Sequence, residues 1–174
     1  RQLRREVDDR RIMAAAMKAK AIQQEAVARL GQLALTGVDL NELMDEAVAS
    51  ISQNLGVEYA KVLELLPSGQ ELLLRAGVGG KPGLVGRAVV GAGLDSQAGY
   101  TLASEGAVIV RDLRLETRFS GPPLLHDHGV VSGLSVIIAV KGGPFGVLGA
   151  HSRSQQLFTK DDVNFLQALA NILA

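Results

Sequence analysis

Three histidines, at positions 126, 128 and 151, are the only side chains in the 174 residues whose ordinary pKa lies near neutrality. Two of them bracket an aspartate in His126-Asp127-His128, the densest polar cluster of the chain. On a helical turn, residues two apart point about 200° away from one another, so these two rings cannot ligate one metal ion and at most one faces inward. That ring is a candidate hydrogen-bond donor to a bound molecule or an axial ligand to haem; the plainer reading is a partly exposed pair near a helix end. His151, near the end of an apolar run, reads as structural. There is no cysteine, which excludes disulfides, a thiolate nucleophile, iron–sulfur clusters, thiolate zinc sites and a thioether-linked chromophore. No Gly-x-Ser-x-Gly elbow is present, Ser132-Gly133-Leu134-Ser135 being only similar to one. The glycines between Gly77 and Gly93 lack the Gly-x-x-x-x-Gly-Lys of a phosphate-cradling loop. No catalytic constellation emerges.

The elements that must position these residues belong to one module. Hydrophobic residues are 47% and charged residues 21%, which calls for a packed core and excludes a disordered chain. Eighteen basic against eighteen acidic side chains leave no overall field for nucleic acid or an anionic membrane, and the apolar runs, such as Val136 to Val140, are too short to span a bilayer. A cytoplasmic protein is the expectation. The chain starts at Arg1 and ends at Ala174 in mid-helix pattern, as a piece of a longer polypeptide would.

Residues 1–35 predict one long helix, with Ile12, Ala15, Ala19, Ile22, Ala26, Leu30 and Leu33 in a narrow apolar stripe. Its local excess of basic residues lacks aromatic or glycine interleaving, which favours the solvated face of a coiled coil over an arm for nucleic acid or lipid. Residues 36–174 are expected to form the domain proper. Asp39 and Glu42 resemble a capping box, opening a helix that runs to Gly56. Tyr59–Leu66 and Glu71–Ala76 predict a hairpin around Pro67-Ser68-Gly69. A long glycine-rich loop follows, after which Ser96 caps a short helix reaching Leu102. Ala107–Val110 is a short strand, Leu113–Phe119 and Pro122–His128 read as helical turns, and Gly133–Val140 and Phe145–Ser152 are the strongest strands, linked at Gly142-Gly143-Pro144. The last helix starts at Thr159, with Asp162 at the capping-box position and Phe158 placed to staple onto Val163. Two hairpins without βαβ alternation predict an α+β fold with an antiparallel sheet.

From Val27 to Leu173 the chain resembles a GAF domain, in particular the form found in PAS–GAF sensor kinases and cyclic-di-nucleotide enzymes. The resemblance rests on Leu55-Gly56-Val57-Glu58-Tyr59-Ala60-Lys61-Val62, Gly83-Leu84-Val85-Gly86, Asp95-Ser96-Gln97-Ala98-Gly99-Tyr100, Glu116-Thr117-Arg118-Phe119-Ser120-Gly121-Pro122, Gly129-Val130-Val131-Ser132-Gly133-Leu134-Ser135-Val136, Pro144-Phe145-Gly146-Val147-Leu148-Gly149-Ala150-His151 and Phe158-Thr159-Lys160-Asp161-Asp162-Val163-Asn164-Phe165-Leu166. It implies a five- or six-stranded antiparallel sheet, terminal helices on one face that commonly form a dimer bundle, and a ligand pocket on the other.

By that resemblance the pocket is lined by Tyr100 and Leu102, by Val110, Asp112 and Arg114, by Phe119, Leu124 and Leu125, and by Ser132, Leu134 and Val136, with Ser135 also from the sheet floor and His126 or His128 as polar partners. A cavity of a few hundred cubic ångströms is expected beneath residues 96–128. The cyclic-nucleotide-binding members carry an Asn-Lys, Phe, Asp-Glu constellation that is not found here. A covalent bilin is excluded without cysteine, and haem, which would rest on His126 or His128, is not expected. The chemistry of the related methionine sulfoxide reductases needs reactive cysteines. The expected function is a sensory module of a signalling protein, such as a two-component system, that binds a small molecule or relays an upstream signal through a homodimer of its terminal helices. The alternative is a ligand-free dimerisation spacer.

Overall fold

The computed structural model describes residues 2–174; Arg1, one of the basic residues of the amino-terminal segment, lies outside them. Helix α1 (Gln2–Leu35) leads to α2 (Leu40–Leu55), which stops at Gly56 in the left-handed conformation (φ 62°) that glycine adopts at a helix end. Strands β1 (Tyr59–Leu65) and β2 (Glu71–Val78) form the first hairpin, and β3 (Val89–Gly91) emerges from the glycine-rich loop. Helix α3 (Gln97–Leu102), β4 (Val108–Val110), α4 (Pro123–Asp127), β5 (Ser132–Val140), β6 (Gly143–Ser152) and α5 (Lys160–Leu173) complete the chain.

The six strands form one antiparallel sheet in the order β3-β2-β1-β6-β5-β4. Alternation along each strand divides its side chains between two faces. Ala60, Val62, Leu134, Val136, Ile138, Leu148 and Ala150 pack against α2 and α5. Tyr59, Lys61, Leu63, Val147, Gly149, His151, Gly133 and Ser135 take the other face, beneath α3 and α4. In β2 a bulge makes Arg75 the extra residue between Leu74 and Ala76. Leu72 and Leu74 therefore pack on the α3/α4 side and Ala76 on the α2/α5 side.

Several local expectations hold. Ser96 accepts from the Gly99 amide at 3.0 Å, and Thr159 and Asp162 form both halves of the capping box. Others are corrected. Asp39 makes no cap bond, because its carboxylate accepts from Asn41 Nδ2 at 3.1 Å instead. Leu113–Phe119 is an irregular turn, since Asp112 and Glu116 draw the nearby backbone amides to their carboxylates. β3 lies where only a loop was expected, and β6 already begins at Gly143. The α1 stripe divides: Ala26, Leu30 and Leu33 pack on α2 and α5 of the same chain, whereas residues 2–22 are exposed. The start of α5 is tied to α1 by Gln23 Nε2, which donates to Asp162 Oδ1 at 2.9 Å.

Candidate functional site

A crevice of about 50 Å³ opens on the α3/α4 side of the sheet, walled by Leu74, Leu124, Leu125 and Val130 and floored by Tyr59, Lys61 and His151. It is much smaller than the expected few hundred cubic ångströms, and a larger groove of about 1000 Å³ lies on the helix side, between α1 and α2. Short α4 sits low over β1 and β6 because His128 holds it there. Its Nδ1 donates to Leu124 O at 2.7 Å and its Nε2 accepts the Lys81 amide at 3.0 Å, while its carbonyl accepts from Tyr59 Oη at 3.0 Å. Arg153 Nε in turn donates to Tyr59 Oη at 2.7 Å.

The floor is set by neighbouring strands in register. Tyr59, His151 and Gly133 form one row across β1, β6 and β5, and Lys61, Gly149 and Ser135 form the next. A side chain on Gly133 would meet His151 Nδ1 at 2.5 Å, so only glycine leaves room for the imidazole. A Cβ on Gly149 would lie 3.0 Å from His151 Nε2 and 3.5 Å from Lys61 Cε. The imidazole and the lysine stem therefore converge over one glycine.

His151 is 1% exposed, and neither ring nitrogen has a hydrogen-bond partner. Burial, together with the nearby Lys61 charge, pushes its pKa well below the ordinary histidine value, so the ring is neutral. A neutral imidazole carries one donor and one acceptor, and leaving either unpaired in the interior costs about 1–3 kcal/mol. Lys61 is half-buried, forms no ion pair among the described residues, and is pushed down by burial to a pKa of about 8. The site thus holds an uncompensated ammonium beside unsatisfied imidazole nitrogens, under apolar walls.

The residues expected to line the pocket are distributed differently. Leu125 and His128 do line the crevice, though both nitrogens of His128 are occupied and offer no lone pair to a metal. His126 points the opposite way, exposed, with Nε2 on Ser120 O at 2.6 Å. At most one histidine of the pair faces inward, as their spacing requires. Ser132 and Leu134 are corrected, and Val136 with them. Their alternation faces α5, with Leu134 in the helix-side core and Ser132 donating to Ser154 O at 2.6 Å. Tyr100 and Phe119 pack in a tilted pair, ring centroids 5.3 Å apart, with the Arg118 guanidinium near both rings, and neither lines the crevice. Asp112 is saturated by Arg114, which donates through Nε (2.9 Å), Nη2 (2.7 Å) and its own amide, and by Gln155 (2.8 Å). The Arg114 guanidinium holds the Asp112 carboxyl well below the usual carboxylate range, so the pair locks a turn. Among the described residues no group of three His, Asp or Glu could hold a metal. Lys61 was missed, although a lysine between Ala60 and Val62 in an apolar strand was the available signal.

The sheet order, the helices on one face and the short helices over a crevice on the other coincide with a recognised family. The GAF domain family model matches residues 39–174, and the chain belongs to that family. GAF domains are regulatory and sensory modules in diverse proteins. Among solved structures, the chain is similar to the GAF domain of a Coxiella burnetii phosphoenolpyruvate-protein phosphotransferase (TM-score 0.79, 18% identity, 88% of this chain and 91% of that one). It is also similar to the GAF domain of the Acinetobacter phosphoenolpyruvate-protein phosphotransferase (TM-score 0.74, 22% identity, 87% and 89%). A third likeness is to a free methionine-R-sulfoxide reductase from Neisseria meningitidis in complex with its substrate (TM-score 0.75, 20% identity, 88% and 87%). A search of curated proteins finds no match. No helix among the described residues is long and apolar enough to cross a membrane.

Proposed function

We propose that this GAF domain is the sensory module of a cytoplasmic multidomain signalling protein, with a small molecule held in the crevice between α4 and the sheet. The observation that carries this reading is His151, buried with both nitrogens unpaired by protein on the floor of that crevice: native interiors pair such groups with protein, water or a bound molecule. The same strands carry α2 and α5 on their other face, and α1 packs on those two helices. A ligand that shifts β1 against β6 therefore acts on the helices that lead to neighbouring domains.

The exposed apolar residues of α1, among them Leu3, Val7, Ile12, Met13 and Met17, favour pairing with a second copy, because an isolated helix of this kind is marginal in water. Light scattering should give a dimer at micromolar concentration. The sensing reading is tested by a thermal-shift panel of small neutral, anionic and cationic metabolites, followed by hydrogen exchange. At least one compound should raise Tm, lose that effect in Val130→Trp, and slow amide exchange in α1 between Gln23 and Leu33. A bound compound that leaves exchange outside the crevice unchanged would reduce the module to a spacer.

A further inference from the structure

From the crevice floor we infer that its ligand is a small aliphatic monocarboxylate, whose carboxylate lies against Lys61 Nζ and a ring N–H of His151 and whose short tail packs on Leu74, Leu124, Leu125 and Val130. This rests on the reading of the crevice as a ligand site.

The charge follows from what surrounds the cation. Lys61 is the only formally charged side chain lining the crevice, and no carboxylate of the described residues reaches it. Every other titratable group facing it is accounted for. From β1, Tyr59 is engaged with His128 O and Arg153; from the end of α4, His128 is engaged through both nitrogens; from β6 comes His151. The lining contributed by β2 and the following loop, Leu74, Gly77, Val78 and Gly80, carries no titratable side chain. An anion is the ligand class that gives the ammonium its missing partner, and its oxygen also accepts the unpaired imidazole N–H.

The remaining properties follow from size and walls. One water requires about 10–15 Å³ of such space, so about 50 Å³ admits a ligand of about three to five non-hydrogen atoms. Four apolar side chains around a two-group polar floor disfavour a fully hydrated oxyanion such as phosphate, whose remaining oxygens would find no donors. A carboxylate with a one- or two-carbon tail, such as propionate, satisfies both the floor and the walls.

The test compares propionate with its neutral isostere propionamide, and with inorganic phosphate, by calorimetric titration of the whole chain. Propionate should bind about tenfold or more tightly than either of the others. Lys61→Met should abolish that preference. Because only the protonated ammonium attracts the anion, affinity should fall as pH rises through about 8, and bound propionate should raise the Lys61 titration followed by the NMR signals of its Cε protons. Equal binding of propionate and propionamide, indifferent to Lys61→Met, would overturn the carboxylate assignment while leaving a ligand-binding crevice. Tighter binding of phosphate would overturn the apolar-tail assignment. Failure of propionate to bind would overturn the inference, and failure of the wider metabolite panel as well would overturn the ligand site itself.

Discussion

Between the sheet and α2/α5, the side chains of Met44, Ile51, Leu134, Leu148, Leu166 and Leu169 are completely enclosed, and the apolar set is continuous from strand to helix. On the opposite face the same strands meet helices of six and five residues, and the apolar side chains fall into two smaller clusters with Lys61, Ser135 and His151 on the same face. Polar groups on that face are treated unequally. Ser135 is paired with Gln97 and Thr101 of α3, at 3.1 and 2.7 Å, whereas both ring nitrogens of buried His151 have no partner and half-buried Lys61 forms no ion pair among the described residues. The comparison separates packing that is continuous and fully apolar from packing that leaves buried polar groups unpaired, at a cost in stability.

The contrast is broken most severely in the continuous core. Leu166→Ala should cost about 4 kcal/mol and Leu125→Ala, under the short helix that can settle into the gap, about 2 kcal/mol, the difference being read from urea midpoints. Equal costs would mean that both faces are packed alike.

Gly133→Ala should cost about 1–3 kcal/mol by forcing the His151 ring out of place. Combined with His151→Ala, that penalty should largely vanish in a double-mutant cycle. Gly106→Ala, which meets no atom within 4 Å, is the control and should change little.

Lys61→Met has the smallest effect and the most specific one. Folding lowers the Lys61 pKa from the ordinary 10.5 to about 8, so between those values the unfolded chain binds more protons than the folded one. Stability of the native sequence should therefore rise with pH through that window, and Lys61→Met should remove the rise while slightly raising Tm at neutral pH. A flat profile in the native sequence would place the ammonium in water rather than under α4.

What could be read without coordinates followed from local chemistry. Glycine after α2, Ser96 before α3 and the Thr159/Asp162 pair mark their boundaries because each satisfies a particular backbone group at short range. The sheet faces were less legible. Along Ser132-Gly133-Leu134-Ser135-Val136 the expected lining mixes the two alternate sets: Ser135 does face α3, but Ser132, Leu134 and Val136, one residue out of step, face the other side. The large residues belong to the α5 side; the small ones, Gly133 and Ser135, belong beneath the imidazole and α3. Length conceals β3 as well, because three residues are too few to show alternation. The site was missed for a related reason: Lys61 and His151 are ninety positions apart, and only the β1–β6 register makes them neighbours.

Helix α1 touches the domain only from about Lys20 onward, where Lys20 approaches Asp161 at 3.7 Å and Gln23 grips the first turn of α5. The exposed stretch before that point is about 30 Å long. Mechanically it is a lever with its fulcrum at the α5 capping box. A tilt of about 10° there, comparable with a small adjustment between packed helices, would swing the far end by about 5 Å.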